Sequence, residues 1–314
     1  MIVVTGGSGF IGSALLAAFR HARVPATGTS RQPDNRRSDL VAIGNIDGQT
    51  AWDGALQGVK VVVHLAARVH VMRDTSAGAL DEYRRTNVAG TARLAEQAVA
   101  SGAERFVFVS SIKVNGETTH GRRFSEADAA GPVGPYAVSK YEAEAVLKAT
   151  AASSGLEVVI VRPPLVYGPG VKANFLRLLR AVDRGIPLPL ARVDNRRSLI
   201  GLGNLVDFLV QCALRPEAAG ETFLVSDGED ISTAELVRRI GRAMDRAPRL
   251  WPVPVWALAA GARMLGQRSL FESLCGSLQV DIRRAREVLG WQPIRSLDQE
   301  LADTVRWYRR ELPV

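Results

Sequence analysis

The sequence predicts an α/β fold: a doubly wound parallel sheet with a smaller C-terminal lobe. Three observations predict it. Short β-branched runs alternate with longer helical patterns, a glycine-rich turn joins the first strand to the first helix, and the composition is that of an ordinary globular chain. The 314 residues are 46% hydrophobic and 23% charged, which allows a sizeable core and excludes collagen-like, coiled-coil and low-complexity chains.

Five apolar runs are predicted as strands of this sheet: Ile2–Val4, Ala26–Thr29, Val61–Leu65, Phe106–Ser110 and Val158–Val161. Helical patterns separate them at Gly12–His21, Ala77–Ser101 and Ala137–Ser153. This alternation is typical of βαβ units. Runs that are apolar on both faces fit central strands with helices packed on each side.

The rhythm changes after Gly168-Pro169-Gly170, where we expect a helix at Asn174–Arg184 and a hairpin around Gly185 to Arg192. We therefore predict a dinucleotide-binding domain at residues 1–170, with a return of the chain near 197–226, and a smaller substrate lobe formed mainly by residues 171–314. The apolar segment Trp251–Leu265 is shorter than the roughly 20 residues of a membrane span, so we predict a packed helix.

Charge and composition limit the partners. The 40 basic and 32 acidic residues give a net charge of +8, but the arginines occur at most in pairs, which argues against a nucleic-acid partner. Two distant cysteines and four scattered histidines predict neither a disulfide framework nor a metal site. The chain begins directly with a strand pattern and shows no signal peptide, so we expect a cytoplasmic protein.

The first candidate site is the run from Val3 to Gly12, where a strand enters a G-x-x-G-x-x-G pattern formed by Gly6, Gly9 and Gly12. Glycines permit a tight turn and let backbone amides approach a pyrophosphate at a helix N-terminus. Phe10 and Ile11 open that helix. The pattern predicts a Rossmann-type site for NAD or NADP.

Other cofactor contacts are expected at the ends of later strands. An acidic residue about 20 residues on would read a ribose hydroxyl, but this sequence has Ser30 and Arg31 there. They could hold a 2′-phosphate, so NADPH is a candidate beside NADH; the alternative is a solvated arginine. We expect Asn45 and Ile46 to contact the adenine, and Leu65-Ala66-Ala67 to let the nicotinamide half lie close to the backbone. We predict that His64, at the end of the strand, is a packed residue.

Tyr136 and Lys140 form the candidate catalytic pair. Residues four apart share a helix face, so Lys140 could lie beneath Tyr136. A lysine charge favours phenolate over phenol, and we expect it to lower the pKa of Tyr136 toward the working pH. Such a tyrosine can donate and accept a proton.

Taken together, several motifs resemble the extended short-chain dehydrogenase/reductases, in particular the nucleotide-sugar epimerase/dehydratase group. The resemblance covers nearly the whole chain and rests on these motifs: Thr5-Gly6-Gly7-x-Gly9-Phe10-Ile11-Gly12, Asn87, Ser111, Tyr136-x-x-x-Lys140, Arg162-Pro163-Pro164-Leu165-Val166-Tyr167-Gly168-Pro169, Arg197-Ser198-Leu199-Ile200 and Leu289-Gly290-Trp291.

The resemblance implies roles for matched residues. Tyr136 exchanges a proton with the sugar, Lys140 holds the nicotinamide ribose, and Ser111 hydrogen-bonds the reacting oxygen, with Ser110 as the rival serine. Asn87 and Pro163 join the cofactor site. Substrate contacts are expected from Lys113, Asn174, Phe175 and Arg197, of which Arg197 would carry most of the diphosphate binding.

The resemblance further implies an NAD(P)-dependent oxidoreductase acting at C4 of a nucleotide sugar, most simply a UDP-sugar. We favour reduction of a 4-keto-6-deoxy (amino) sugar for surface polysaccharide. The alternatives are a UDP-hexose 4-epimerase and a non-catalytic NAD(P)-binding protein. A dehydratase is disfavoured because Ile112-Lys113 stands where an Asp-Glu pair is typical. Relatives dimerise through the helices predicted at Ala77–Ser101 and Ala137–Ser153, so a homodimer is expected.

Overall fold

A computed structural model describes residues 1–69 and 78–311. Its main sheet contains seven parallel strands: β1 (Ile2–Thr5), β2 (Ala26–Ser30), β3 (Leu40–Ala42), β4 (Val61–His64), β5 (Arg105–Val109), β6 (Glu157–Arg162) and β9 (Thr222–Leu224). Their spatial order is β3-β2-β1-β4-β5-β6-β9. The order reverses beside β1, which opens a crevice at the carboxyl ends of the strands. The predicted fold class is confirmed.

The helices have the following bounds: α1 (Phe10–His21), α2 (Asp53–Leu56), α3 (Ala79–Tyr83), α4 (Gly90–Ala100), α5 (Gly134–Ser154), α6 (Ala173–Asp183), α7 (Leu202–Leu214), α8 (Thr233–Ala243), α9 (Val255–Met264), α10 (Arg268–Cys275), α11 (Arg283–Leu289) and α12 (Leu297–Glu311). A π-helical turn, Arg84–Ala89, joins α3 to α4. Ala77, where the sequence predicts the start of a helix, lies outside the described residues.

The strands of the main sheet are buried on both faces because their side chains alternate between two cores. Val62, Phe106 and Phe108 point to a core shared with α2, α4 and α5. Val63 and Val107 point to the opposite core, which α1 and α7 cover. A sheet between two helical layers has both faces buried, so consecutive residues of its strands, which point to opposite faces, all have to be apolar.

The C-terminal part of the chain builds a second, smaller sheet from β7 (Leu165–Tyr167), β8 (Arg197–Gly201) and β10 (Asp230–Ile231), in the order β10-β8-β7. Helices α6, α8 and α12 pack with this sheet around their own apolar core. Strand β9 belongs to the main sheet, although it lies between β8 and β10 in sequence. The division of the chain into domains at residue 170 stays a prediction.

Two predictions in this lobe are wrong. No strand pair forms between Gly185 and Arg192; Leu188 makes an isolated parallel bridge to Leu250 instead. Pro187 and Pro189 lack the N–H groups that a hairpin ladder needs. The segment predicted as a packed helix does form α9, and its Leu258 packs on the core of the smaller lobe, but none of its residues is fully buried, so the predicted extent of packing is wrong.

A buried ion pair ties α5 to β6. The Glu144 carboxylate accepts hydrogen bonds from Arg162 Nε at 2.9 Å and Nη2 at 2.5 Å, and both side chains are almost completely buried. Arg162 Nη1 also donates to Asn115 Oδ1 at 2.9 Å. With its charges and donors matched, this group fixes the helix against the sheet.

We expect Glu144→Gln to lower the free energy of unfolding by about 3 kcal/mol, because it leaves the Arg162 charge buried without a counter-charge. Urea denaturation at neutral pH measures the change. The matched control is Glu142→Gln on the same helix, whose partner Arg84 is exposed, and it should change stability by less than about 1 kcal/mol. Equal effects of the two substitutions would contradict the argument.

Candidate active site

The glycine-rich turn forms a cradle that has no room for side chains. Gly6 has a φ of +68°, and its carbonyl accepts a hydrogen bond from Gly9 N at 2.9 Å. A Cβ on Gly12 would lie 2.2 Å from that carbonyl oxygen. Helix α1 begins at Phe10 and has no acidic residue in its first turn. Unpaired amides at such a helix start suit a pyrophosphate, so the cradle fits a dinucleotide.

The residues predicted to bind the adenosine side differ in availability. The Ser30 hydroxyl is buried and donates to the Gln32 carbonyl at 2.7 Å, whereas Arg31 is exposed. The Thr29 hydroxyl is buried without a hydrogen-bond partner in the described part of the chain. Asn45 is exposed after β3, and Ile46 contacts Gly90 at the start of α4. Arg31 and Asn45 are therefore the side chains free to reach a ligand.

A network around Thr5 shapes the loop that follows β4. The Thr5 hydroxyl oxygen accepts hydrogen bonds from the amides of Leu65 and Ala66, both at 3.1 Å, and lies 2.6 Å from His64 Nδ1. His64 Nε2 is 3.0 Å from the Thr91 hydroxyl. These contacts draw the Leu65-Ala66-Ala67 segment so close to Gly6 that a Cβ on that glycine would lie 3.2 Å from Ala66 N.

His64 is a packed residue, as predicted. It is buried between Phe106 and Phe108, and burial lowers its pKa to about 3, with a smaller contribution from the positive charge of Lys140. A neutral imidazole can bridge two hydroxyl groups. Sequence reasoning missed Thr5 and Thr91 as its partners, because their positions in the chain give no sign of a shared contact.

Asn87 connects this loop to α5. It lies in the π-helical turn, where its amide accepts from Arg68 N at 2.8 Å and donates to Arg68 O at 3.1 Å and to the Ser139 hydroxyl at 2.9 Å. Single π-turns inside helices are frequent at functional sites. The side chain predicted to join the cofactor site is thus committed to positioning the loop and the helix.

Tyr136 and Ser111 meet at the carboxyl edge of the sheet. Tyr136 lies in the first turn of α5, and Ser111 caps the short 3₁₀ turn Ile112–Val114. Burial raises the pKa of Tyr136 to about 12, and a side-chain hydrogen bond with Ser111 partly opposes this shift. Ser110, the rival, is buried and its hydroxyl has no partner among the described residues. The geometry favours Ser111.

Lys140 is buried one turn further along α5. Its Nζ donates to the Val109 carbonyl at 2.8 Å and lies 4.3 Å from the centroid of the Phe108 ring. Burial lowers the pKa of Lys140 to about 7, and the nearby Glu144 carboxylate opposes that shift. The expected lowering of the Tyr136 pKa by Lys140 is wrong for the protein alone, because desolvation dominates both groups.

Neighbouring main-chain contacts fix the Ser111 loop. Ile112 N donates to the Pro163 carbonyl at 3.0 Å, just beyond the end of β6. Pro163 is buried and therefore acts here through its backbone. Tyr83 also borders the pair, with its ring centroid 6.3 Å from that of Tyr136 in an edge-to-face arrangement. No motif in the sequence pointed to Tyr83.

The predicted substrate residues occupy different settings. Arg197 Nη1 donates to the Gly276 carbonyl at 2.9 Å, forms no ion pair with any residue of 1–69 or 78–311, and has its pKa lowered by burial. Lys113 pairs with Glu117 at 3.1 Å. Asn174 is exposed at the start of α6. Arg197 is therefore the dehydrated cation best able to bind an anion.

Phe175, predicted as a substrate contact, lies in the core of the smaller lobe in this structure. Its ring is buried and stacks on Tyr167, with centroids 5.3 Å apart. Both rings belong to the core of the smaller lobe.

The described residues contain neither a metal-binding cluster nor a membrane-spanning helix. Within ranges 1–69 and 78–311, no group of three histidine, cysteine, aspartate or glutamate side chains could hold a metal ion. No helix there is both long and apolar enough to cross a membrane.

Comparison with known proteins places the chain in a family. The NAD dependent epimerase/dehydratase family matches residues 2–226. A UDP-glucose 4-epimerase of Vibrio cholerae is 44% identical over 309 residues, which cover 97% of this chain and 94% of that protein. A 2-alkyl-3-oxoalkanoate reductase of Stenotrophomonas maltophilia is 30% identical over 338 residues, covering 96% of this chain and 97% of the relative.

Solved structures agree with this family. MoeE5 in complex with UDP-glucose and NAD superimposes with a TM-score of 0.80 at 29% identity, covering 99% of each chain. The chain belongs to the NAD-dependent epimerase/dehydratase family, and the suspected resemblance is confirmed. It is an enzyme of that family, and NAD is its cofactor.

The buried lysine predicts a pH dependence of stability. Lys140 has an ordinary pKa of 10.5 when unfolded and about 7 when folded. Between these values the unfolded chain binds more protons, so stability rises with pH in this window and falls as the pH drops toward 7. From pH 7 to 9, the wild type should gain about 2 kcal/mol relative to Lys140→Met. Parallel pH curves from urea denaturation without cofactor would contradict this.

Proposed function

We propose that the protein is a nucleotide-sugar 4-epimerase that uses NAD and acts on a UDP-hexose. The observation that carries the proposal is the 44% identity, across 97% of the chain, to a relative named UDP-glucose 4-epimerase. The complex of MoeE5 with UDP-glucose and NAD supports the same class of substrate. These findings support the epimerase better than the 4-ketoreductase that the sequence favoured.

The chemistry asks one tyrosine to move a proton in both directions. When bound, NAD would supply the hydride-accepting and hydride-donating chemistry at sugar carbon 4. As phenolate, Tyr136 Oη would take the proton of the C4 hydroxyl during oxidation and, as phenol, give it back during reduction, while Ser111 would hold the reacting oxygen through a hydrogen bond. We assign Lys140, fixed on the Val109 carbonyl, to the ribose side of the cofactor.

Inversion at C4 requires that the substrate cleft let the sugar move while it holds the nucleotide. Because the hydride returns to the opposite face, the keto sugar has to turn between the two transfers while the nucleotide stays bound. A cation that binds the diphosphate but not the sugar allows this rotation. Arg197 is suited to it, since its side chain is half-buried and free of carboxylate partners in the described part of the chain. Asn174 and, when released from Glu117, Lys113 are secondary candidates.

The homodimer and the substrate role of the smaller lobe stay predictions. Helices α4 and α5, which carry the predicted dimer surface, pack side by side.

Arg31 supports a trial of NADPH beside NADH, because its guanidinium is exposed next to the end of β2.

We expect the purified protein to interconvert UDP-glucose and UDP-galactose with no net change in reduced nicotinamide. Tyr136→Phe should lower kcat by about 10²- to 10⁴-fold, because it removes the group that carries the proton. Product formation followed by NMR, together with nicotinamide absorbance, measures both quantities.

The matched control is Tyr141→Phe, since Tyr141 is an exposed tyrosine of the same helix, and it should leave kcat unchanged. Net oxidation of NADH or NADPH with a 4-keto-6-deoxy UDP-sugar, without epimerisation of either hexose, would refute the epimerase in favour of the ketoreductase. Cofactor binding with no Tyr136-dependent turnover of any sugar would instead identify a non-catalytic protein.

Arg197→Gln should raise the KM for UDP-glucose by about 10-fold or more and leave kcat within about 3-fold, because a charged hydrogen bond to the diphosphate is lost while the reacting groups stay in place. Steady-state kinetics measures the split. The neighbouring Arg196 is exposed, so Arg196→Gln serves as control. Should Arg197→Gln lower kcat with no change in KM, the diphosphate assignment is wrong.

A further inference from the structure

An apolar helical hairpin projects from the smaller lobe. We define it as residues 251–275, which contain α9 and α10. The two helices pack on each other. Three of its large side chains are mostly exposed, namely Trp256 (75%), Met264 (87%) and Leu265 (75%). Trp251 and Leu270 are exposed as well.

Four of the five exposed residues of α9, all but Val255, share one helix face. Trp256, Ala260, Arg263 and Met264 are all exposed and follow a spacing of four, three and one residues, which is the period of a single helical stripe. Leu258, on another side of the helix, packs against the core of the smaller lobe. The apolar stripe therefore points away from the protein. A contiguous exposed apolar patch of this kind marks an interaction surface.

Basic residues outnumber acidic ones around this stripe. Residues 246–271 include four arginines and no aspartate, glutamate or lysine, so this stretch holds half of the net charge of +8. Two of these arginines have carboxylate partners, Arg246 with Asp183 and Arg268 with Glu272. Arg249 and Arg263 are exposed, and within the described residues they form no ion pair. The surface is both apolar and cationic.

We propose that the hairpin docks on an anionic membrane surface. Helix α9 would lie in the plane of the interface with Trp256 and Met264 at the boundary between headgroups and acyl chains, while Arg263 meets lipid phosphates. Tryptophan at this depth combines an apolar ring with an N–H donor, which suits the interface. Arginine side chains near an anionic leaflet each add attraction.

The charge of the hairpin favours an anionic membrane over a second copy of the chain as its binding partner. A twofold contact through the hairpin would bring the same arginines of two copies together, and the one carboxylate of the hairpin, Glu272, already pairs with Arg268 of its own helix. An anionic lipid surface supplies that charge throughout. The hairpin is also continuous with the proposed substrate cleft, because the carbonyl of Gly276, just beyond α10, accepts the hydrogen bond from Arg197. Docking would hold this end of the cleft near the membrane.

The test is sedimentation of the full-length protein with vesicles. We expect binding to vesicles of phosphatidylcholine with phosphatidylglycerol, and little binding to phosphatidylcholine alone. The double variant Trp256→Ser, Met264→Ser should weaken binding by at least about 10-fold, because it removes the inserted apolar area. Arg263→Gln should weaken it by about 5-fold. Matched controls are Ile294→Ser, an exposed isoleucine elsewhere, and Arg36→Gln, an exposed arginine outside the hairpin; both should bind as wild type.

Several results would overturn the proposal. One is failure of the wild type to sediment with anionic vesicles, and another is unchanged binding by the hairpin variants. If the serine variants instead convert a dimer into a monomer in light scattering, with vesicle binding unaltered, the face joins two copies of the chain. Thermal melts check that each variant is folded. Vesicle binding needs no turnover, so the result stands apart from the proposed epimerase activity.

Discussion

Parallel pairing of four neighbouring strands is the constraint on which the candidate site depends. The register places Thr5 beside His64, His64 beside Phe108 and Phe108 beside Ile160. The strands β1, β4, β5 and β6 therefore end along one edge, and the loops that follow them meet there. Glycines, small residues, the Ser111 turn and Pro163 lie in those four loops. Backbone pairing thus brings residues more than a hundred positions apart to one site.

Helix α5 completes the site because three of its side chains fix it to the sheet and to the π-helical turn. Ser139 bonds Asn87, Lys140 bonds the Val109 carbonyl, and Glu144 pairs with Arg162. These contacts fix the position of the helix, and Tyr136 in its first turn hydrogen-bonds Ser111. Preorganisation of this kind lets a catalytic group act without reorganising at the moment of reaction.

Local patterns carried most of what the sequence could predict. Strand alternation, the glycine spacing and the Tyr136–Lys140 interval are all short-range, and the strands, the cradle and the placement of both residues on α5 followed from them. The raised pKa of Tyr136, the burial of Phe175 and the partners of His64 depend on contacts between distant segments. Spacing contains no information about desolvation, which is why charge alone gave the wrong direction for Tyr136.

The distribution of charge carries more information than its sum. A net charge of +8 without long basic runs argues against nucleic acid, and by run length the arginines look evenly spread. Residues 246–271 contain no run either, yet no acid interrupts them, and Trp256 and Met264 in the same stretch are exposed. The sequence signal for the proposed lipid-facing surface is thus the absence of acids over an apolar segment, rather than a clustering of bases.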